Sequence, residues 1–117
     1  MTKILCIDDD ISLLQAIKDY LLDEKYETYG ASCGAEGVAL FHREKPDVVV
    51  TDLRMSGGDG FLVVAHITQE SQIVPVIVLS GTGFINDVVR CMKIGAWDYL
   101  TKPLRSLNKL KQSIQDV

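Results

Sequence analysis

Asp47-Val48-Val49-Val50-Thr51-Asp52-Leu53-Arg54-Met55 is the stretch that decides the fold. Its centre is three β-branched residues in a row, apolar on both faces, where a strand with one wet face would alternate. Such a strand belongs in the middle of a parallel sheet with helices packed above and below it. The run stops at a carboxylate, Asp52, and Ser56-Gly57-Gly58-Asp59-Gly60 then forms a loop by composition.

The same pattern recurs outward from this point. Val76-Ile77-Val78-Leu79 is a second run without alternation, ended by Ser80, and Lys3–Ile7 is a third, ended by Asp8-Asp9-Asp10. Tyr26–Ala31 and Trp97–Thr101 are weaker strands. Amphipathic stretches lie between them. Ser12-Leu13-Leu14-Gln15 has the form of a capping box and opens a helix with Leu14, Ile17 and Leu21 on one face. Residues 34–44 predict a helix with Val38 and Phe41 inward, stopped before Pro46, and Phe61–Gln69 predict a third. Ile85, Val88, Val89 and Met92 fall at i, i+3, i+4, i+7, with Gly95 placed to end that helix, and Leu107, Leu110, Ile114 and Val117 mark a last one. The order is (βα)₅, which predicts an α/β fold with a doubly wound, five-stranded parallel sheet.

A length of 117 residues suits one domain, taken as 1–117, and 47% hydrophobic with 24% charged residues is ordinary globular usage. The last helical pattern runs to the final residue, which points to a domain cut from a longer protein, a free-standing domain being the alternative. The net charge of −4 speaks against direct nucleic-acid binding by this segment. Cys6, Cys33 and Cys91 are few and widely spaced, as expected of free thiols in a reducing compartment. The apolar stretch after Lys3 is too short for a leader, and the run Ile73–Leu79 is too short to span a membrane and contains Pro75. The expectation is a soluble cytoplasmic protein with no membrane partner.

Four of the five expected strands end in a polar residue with useful chemistry: Asp8-Asp9, Thr51-Asp52, Ser80 and Lys102. The carboxyl ends of parallel strands share one edge, and such sheets bind ligands where the strand order reverses. Each residue alone is ordinary. An acid after a strand is commonly a helix cap, a serine a turn residue, and a lysine a solvated charge. Together they place three carboxylates, a hydroxyl and an ammonium at one rim. Crowded carboxylates repel unless a cation sits among them, and oxygen donors select a hard ion, Mg²⁺ or Mn²⁺. Cation, ammonium and hydroxyl are the groups that stabilise a transferring phosphoryl group, with one carboxylate as nucleophile.

At these residues the chain resembles the receiver domain of two-component response regulators, over essentially its whole length. The motifs are Ile7-Asp8-Asp9-Asp10, the stretch Asp47–Met55 with Asp59-Gly60, Pro75–Gly81, and Gly95-Ala96-Trp97-Asp98-Tyr99-Leu100-Thr101-Lys102-Pro103. The resemblance implies a flavodoxin-like strand order 2-1-3-4-5 and a phosphorylation switch that is not a conventional enzyme. It implies Asp52 as phosphoacceptor, Asp9 as a direct metal ligand, Asp8 as a ligand through water, and the Arg54 backbone carbonyl completing the site. It implies that Ser80 and Lys102 contact the phosphoryl group, that Tyr99 is the switch aromatic, and that Pro103 follows a cis peptide. The implied partners are a sensor histidine kinase or phosphotransfer protein, an output domain, attached or separate, and a second copy. They would meet a face made by the fourth helix, fifth strand and fifth helix. The chain departs from the usual pattern at Ser56, where proline is common, and at Leu104, where phenylalanine is frequent. Arg54 and Thr82 stand where the family tunes phosphoryl lifetime.

Three alternatives remain open at this stage. A haloacid-dehalogenase-type phosphatase would use Asp8 and Asp10, with Ser80 and Lys102, but would leave Asp52 idle. A non-phosphorylated module on the same fold would not need the full set of acids. A flavodoxin-type flavin domain would need a phosphate-cradling loop where Asp8-Asp9-Asp10 would repel the ligand. Trp97 reads as packing. His42 and His66 lie on separate helices without a partner at metal-ligand spacing, and read as surface or satisfied histidines.

Overall fold

The valine triplet lies at the centre of the sheet, as its lack of alternation requires. The structure, a computed structural model, describes residues 2–55, 58–81, 83–102 and 107–117. Among them β1 (Lys3–Ile7), β2 (Glu27–Ala31), β3 (Val48–Thr51), β4 (Val76–Ser80) and β5 (Asp98–Thr101) alternate with α1 (Ile11–Asp23), α2 (Gly34–Glu44), α3 (Gly60–Glu70), α4 (Ile85–Ile94) and α5 (Asn108–Gln115). The strands pair in parallel in the order β2-β1-β3-β4-β5, the expected doubly wound arrangement. A two-residue antiparallel ladder, Arg54–Met55 against Gly58–Asp59, is added after β3.

Each face of the sheet carries its own core. Leu5, Ile7, Val49, Val76 and Val78 pack with Phe41 of α2, Val64 and Ile67 of α3 and Cys91 of α4. Ile4, Cys6, Val50, Ile77 and Leu79 pack with Leu14, Ile17 and Leu21 of α1 and with Leu110 and Ile114 of α5. Adjacent residues of one strand therefore serve opposite cores, and this explains the continuous apolar runs. Burial of a side chain such as Leu79 stabilises by about 1.5–3 kcal/mol.

Several local expectations give way. The cap of α1 is Asp10, whose carboxylate accepts from the Leu13 amide at 3.1 Å, and Ser12 lies inside the first turn. Aspartate caps at least as well as serine, and the helix must begin directly after the strand. In α2, Gly37 and Leu40 accompany Phe41 inward while Val38 is only half-buried. A side chain at Gly37 would collide with Ile7, so α2 lies against β1 because that position has none. In α4 the expected apolar face points away from the core: Ile85 is 75% exposed, and Asp87 and Cys91 are the buried residues. A helical apolar period defines a stripe but not its direction. Small Cys91 lets α4 approach the sheet, and Asp87 has a cation waiting. Val117 and Trp97 are also exposed. The readings that involve Ser56, Gly57, Thr82, Pro103 and Leu104 lie outside the described residues.

Candidate functional site

Register brings the acids together. In the β1–β3 pair, Ile7 lies opposite Thr51, so the next residues, Asp8 and Asp52, emerge side by side where the strand order reverses. Asp8, Asp9 and Asp52 each offer a carboxylate oxygen within 4.8 Å of the others. From the far side, Ser80 lies opposite Thr101 in the β4–β5 pair, and the Lys102 amide donates to the Ser80 carbonyl at 2.7 Å. That bond sets the path of the chain from which the Lys102 side chain reaches back. Its Nζ donates to Asp8 Oδ2 at 2.7 Å and to Asp52 Oδ2 at 3.2 Å.

The two buried acids divide their oxygens between backbone and ammonium. Asp52 Oδ1 accepts from the Leu53 amide at 2.7 Å, which leaves Oδ2 toward Lys102. Asp8 Oδ1 accepts from the Asp10 amide at 3.0 Å while Oδ2 takes the lysine. Burial raises the Asp8 carboxyl above its ordinary value, against the Lys102 hydrogen bond, and the Asp52 charge adds to the rise. Burial pulls the Lys102 ammonium down, but hydrogen bonding and charge from Asp8, joined by Asp52, carry it above the usual lysine value. The ammonium is stabilised by two carboxylates, whereas Asp8 remains short of positive charge. An oxygen-only donor set with that deficit fits a hard divalent cation.

The supporting residues are ordered around this pocket. Ser80 is fully buried at the end of β4. Tyr99, half-buried in β5, has its phenol raised by burial, with a hydrogen bond to Ser80 acting the other way. Gly60 lies against the backbone that follows Asp52. Its amide donates to the Leu53 carbonyl at 2.9 Å, and a side chain there would strike the Asp52 carbonyl and the Leu53 backbone. The structure thus brings together Asp8, Asp9, Asp52 and Lys102, and joins Ser80 to Tyr99.

The Arg54 side chain has a separate contact. Its guanidinium nitrogen donates to both Asp87 carboxylate oxygens at 3.1 Å, tying the segment after β3 to α4, and Asp87 is buried while Arg54 is largely exposed. The Arg90 guanidinium lies 3.9 Å above the Phe61 ring, and that of Arg54 lies 5.6 Å from the same ring. Sequence reasoning missed this cluster. The available signal was a single acid, Asp87, in the first turn of an otherwise apolar helix pattern. A groove of about 1160 Å³ lies elsewhere, lined by Ile73, Val74, Pro75, Trp97 and Ile114. It opens at the amino ends of the strands, opposite the acids.

The fold and site define a class, the doubly wound α/β domains with an acidic pocket at the carboxyl rim. Solved structures of that class superpose closely. A response regulator receiver domain protein from Clostridium thermocellum aligns with a TM-score of 0.92 at 34% identity, covering 99% of this chain and 93% of that one. The response regulator protein TrrA from Thermotoga maritima, solved in complex with Mg²⁺-BeF, aligns at 0.90 with 25% identity, covering 99% and 98%. The family model described as "Response regulator receiver domain" matches residues 4–115, and the chain belongs to that family, whose members are phosphorylation-dependent signalling switches. The transcriptional regulatory protein GlrR of Escherichia coli (strain K12) is 39% identical over 113 residues, covering 97% of this chain. The chain spans 25% of the length of GlrR. Membership displaces the dehalogenase-type and flavin-binding alternatives. No described helix is long and apolar enough to cross a membrane.

Proposed function

We propose that this chain is a cytoplasmic receiver that accepts a phosphoryl group on Asp52 from the phosphohistidine of a sensor histidine kinase or phosphotransfer protein. The observation that carries the reading is the seat of Asp52: one oxygen is pinned by the Leu53 amide, and the other faces Lys102 beside Asp8. An Asp52 oxygen attacks phosphorus in line. The P–N bond breaks, its electron pair returns to the donor imidazole, and an acyl phosphate results. Lys102, already aimed at Asp52, moves its ammonium onto a phosphoryl oxygen, where a preorganised cation acts most strongly.

Asp9 and Asp52 would hold Mg²⁺ (or Mn²⁺) directly, Asp8 through water, and the Arg54 backbone carbonyl would complete the set. When bound, the ion neutralises charge on the acids and the phosphoryl oxygens. Ser80 then donates to the phosphoryl oxygen instead of Tyr99, and the released phenol turns inward. The face of α4, β5 and α5 changes with it, and an output domain, attached or separate, or a second copy reads the change. The chain assists its own phosphorylation and dephosphorylation without being a conventional enzyme. As part of a longer protein it would act as the 1–117 receiver domain.

The test is intact mass after incubation with Mg²⁺ and acetyl phosphate. Wild type gains one phosphoryl group and Asp52→Asn gains none. An equal gain by Asp52→Asn would place the acceptor elsewhere.

A further inference from the structure

Two helices bring one histidine each to the same surface point, and neither belongs to the acidic rim. His42 lies in the last turn of α2 and His66 within α3. Their Nε2 atoms are 2.9 Å apart, the ring centroids 5.2 Å apart, and the ring planes perpendicular. No spacing along the chain connects them, so sequence reading left both as isolated histidines.

Their positions are fixed from beneath. Phe41 and Ile67, the chain neighbours of the two histidines, are both buried in the same core. The Phe41 ring also meets the His42 ring edge to face at 5.3 Å. At the other end of α2, Gly34 admits Val63 of α3 so closely that an added Cβ would lie 3.0 Å from the valine methyl. The two helices are thus a rigid mount, and the imidazoles project from it toward each other. Where two neutral rings share one proton, one nitrogen donates and the other presents its lone pair. Displacing that single proton would free both nitrogens, and each ring would then have to turn aside for the two lone pairs to converge on one ion.

The spacing suits a metal ion. Imidazole nitrogens bind Zn²⁺ at about 2.0–2.1 Å, so two neighbouring ligands stand about 2.9 Å apart at a right angle and about 3.4 Å apart in a tetrahedron. The observed separation lies at the lower end of that range, but the rings face each other nearly head-on, so ligation requires both to turn about their side-chain bonds. We propose that His42 and His66 form a two-imidazole site for a borderline transition cation (Zn²⁺, Ni²⁺ or Cu²⁺) that staples α2 to α3. Solvent fills its remaining positions, because the pair lies at the surface. Ligand softness separates this site from the acidic rim: nitrogen donors favour transition metals, and the carboxylates favour Mg²⁺. The proposal is independent of the phosphoryl reading.

Calorimetric titration with Zn²⁺ in saturating Mg²⁺, at about pH 8 where imidazole is neutral, tests it on wild type, His42→Gln and His66→Gln. Wild type binds one equivalent and unfolds at a higher denaturant concentration with Zn²⁺ than without. Each variant loses the denaturant shift, and its Zn²⁺ affinity falls by more than the roughly 10–100-fold that loss of a mere supporting residue costs. Cooperative urea unfolding of both variants in the absence of Zn²⁺ verifies their fold. Unchanged Zn²⁺ affinity in the two variants would assign the ion to another group, such as the Cys33 thiol. No binding by wild type would leave the pair a plain hydrogen bond. Either result overturns the proposal.

Discussion

The carboxyl rim of β1 and β3 and the outer face of α4 treat their side chains in opposite ways. At the rim, polar groups that prefer water are buried: Asp8 is 3% exposed and Asp52 6%. On α4, groups that prefer burial face water: Ile85 is 75% exposed, with Val89 and Met92 beside it and Phe84 just before. Neither arrangement serves stability by itself, since a buried charge needs a partner and an exposed apolar stripe needs a cover. The rim offsets its cost in part through Lys102, which donates to both buried acids. The stripe on α4 faces solvent instead. The Arg54–Asp87 pair joins the segment after β3 to α4.

The largest expected break in this contrast is Lys102→Met. It leaves the fold intact and lowers the rate of phosphorylation by acetyl phosphate by about 10²–10³-fold, the usual loss for one preorganised donor. A rate within a factor of two of wild type would remove Lys102 from the chemistry.

The next effect is metal linkage. Mg²⁺ at a hundred times its dissociation constant should raise unfolding free energy by about 2.7 kcal/mol. Asp9→Asn should lose most of that gain in urea melts. Asp8 sharpens the point through its sign. The folded state raises its carboxyl, so ionisation costs stability as pH climbs above the ordinary value of 3.8. At neutral pH in EDTA, Asp8→Asn should therefore be more stable than wild type, and excess Mg²⁺ should reverse the order. Lys102 has the opposite consequence. Its raised value gives stability that is complete below the ordinary 10.5 and lost as pH rises through the folded value. An alkaline melt series on wild type and Lys102→Met would read that loss as a narrowing gap.

Smaller still is Arg54→Met, which removes the guanidinium from the buried Asp87 carboxylate. Because Arg54 is 64% exposed the cost should be about 1 kcal/mol, read by chemical denaturation. The smallest is Ile85→Ser on the stripe, within about 0.5 kcal/mol of wild type in the isolated domain. A large loss there would mean that the stripe packs within this chain.

The sequence made the scaffold legible because its signals were local. Val48-Val49-Val50 and Val76–Leu79 are apolar on successive residues because successive residues enter opposite cores, and a chain carries that requirement in its composition. The same holds for the acids at the strand ends, once parallel pairing puts those ends on one edge. Distances and orientations were not local. The lysine bridge from Lys102 to Asp8 joins residues 94 apart, and only the β4–β5 register aims it. The outward turn of the α4 stripe depended on Asp87 finding Arg54, and the meeting of His42 with His66 depended on how α2 packs on α3. Periodicity fixes what a segment is, since backbone geometry is short-range. The facing of two side chains from different segments is set by the packing of everything between them, which the tertiary structure alone decides.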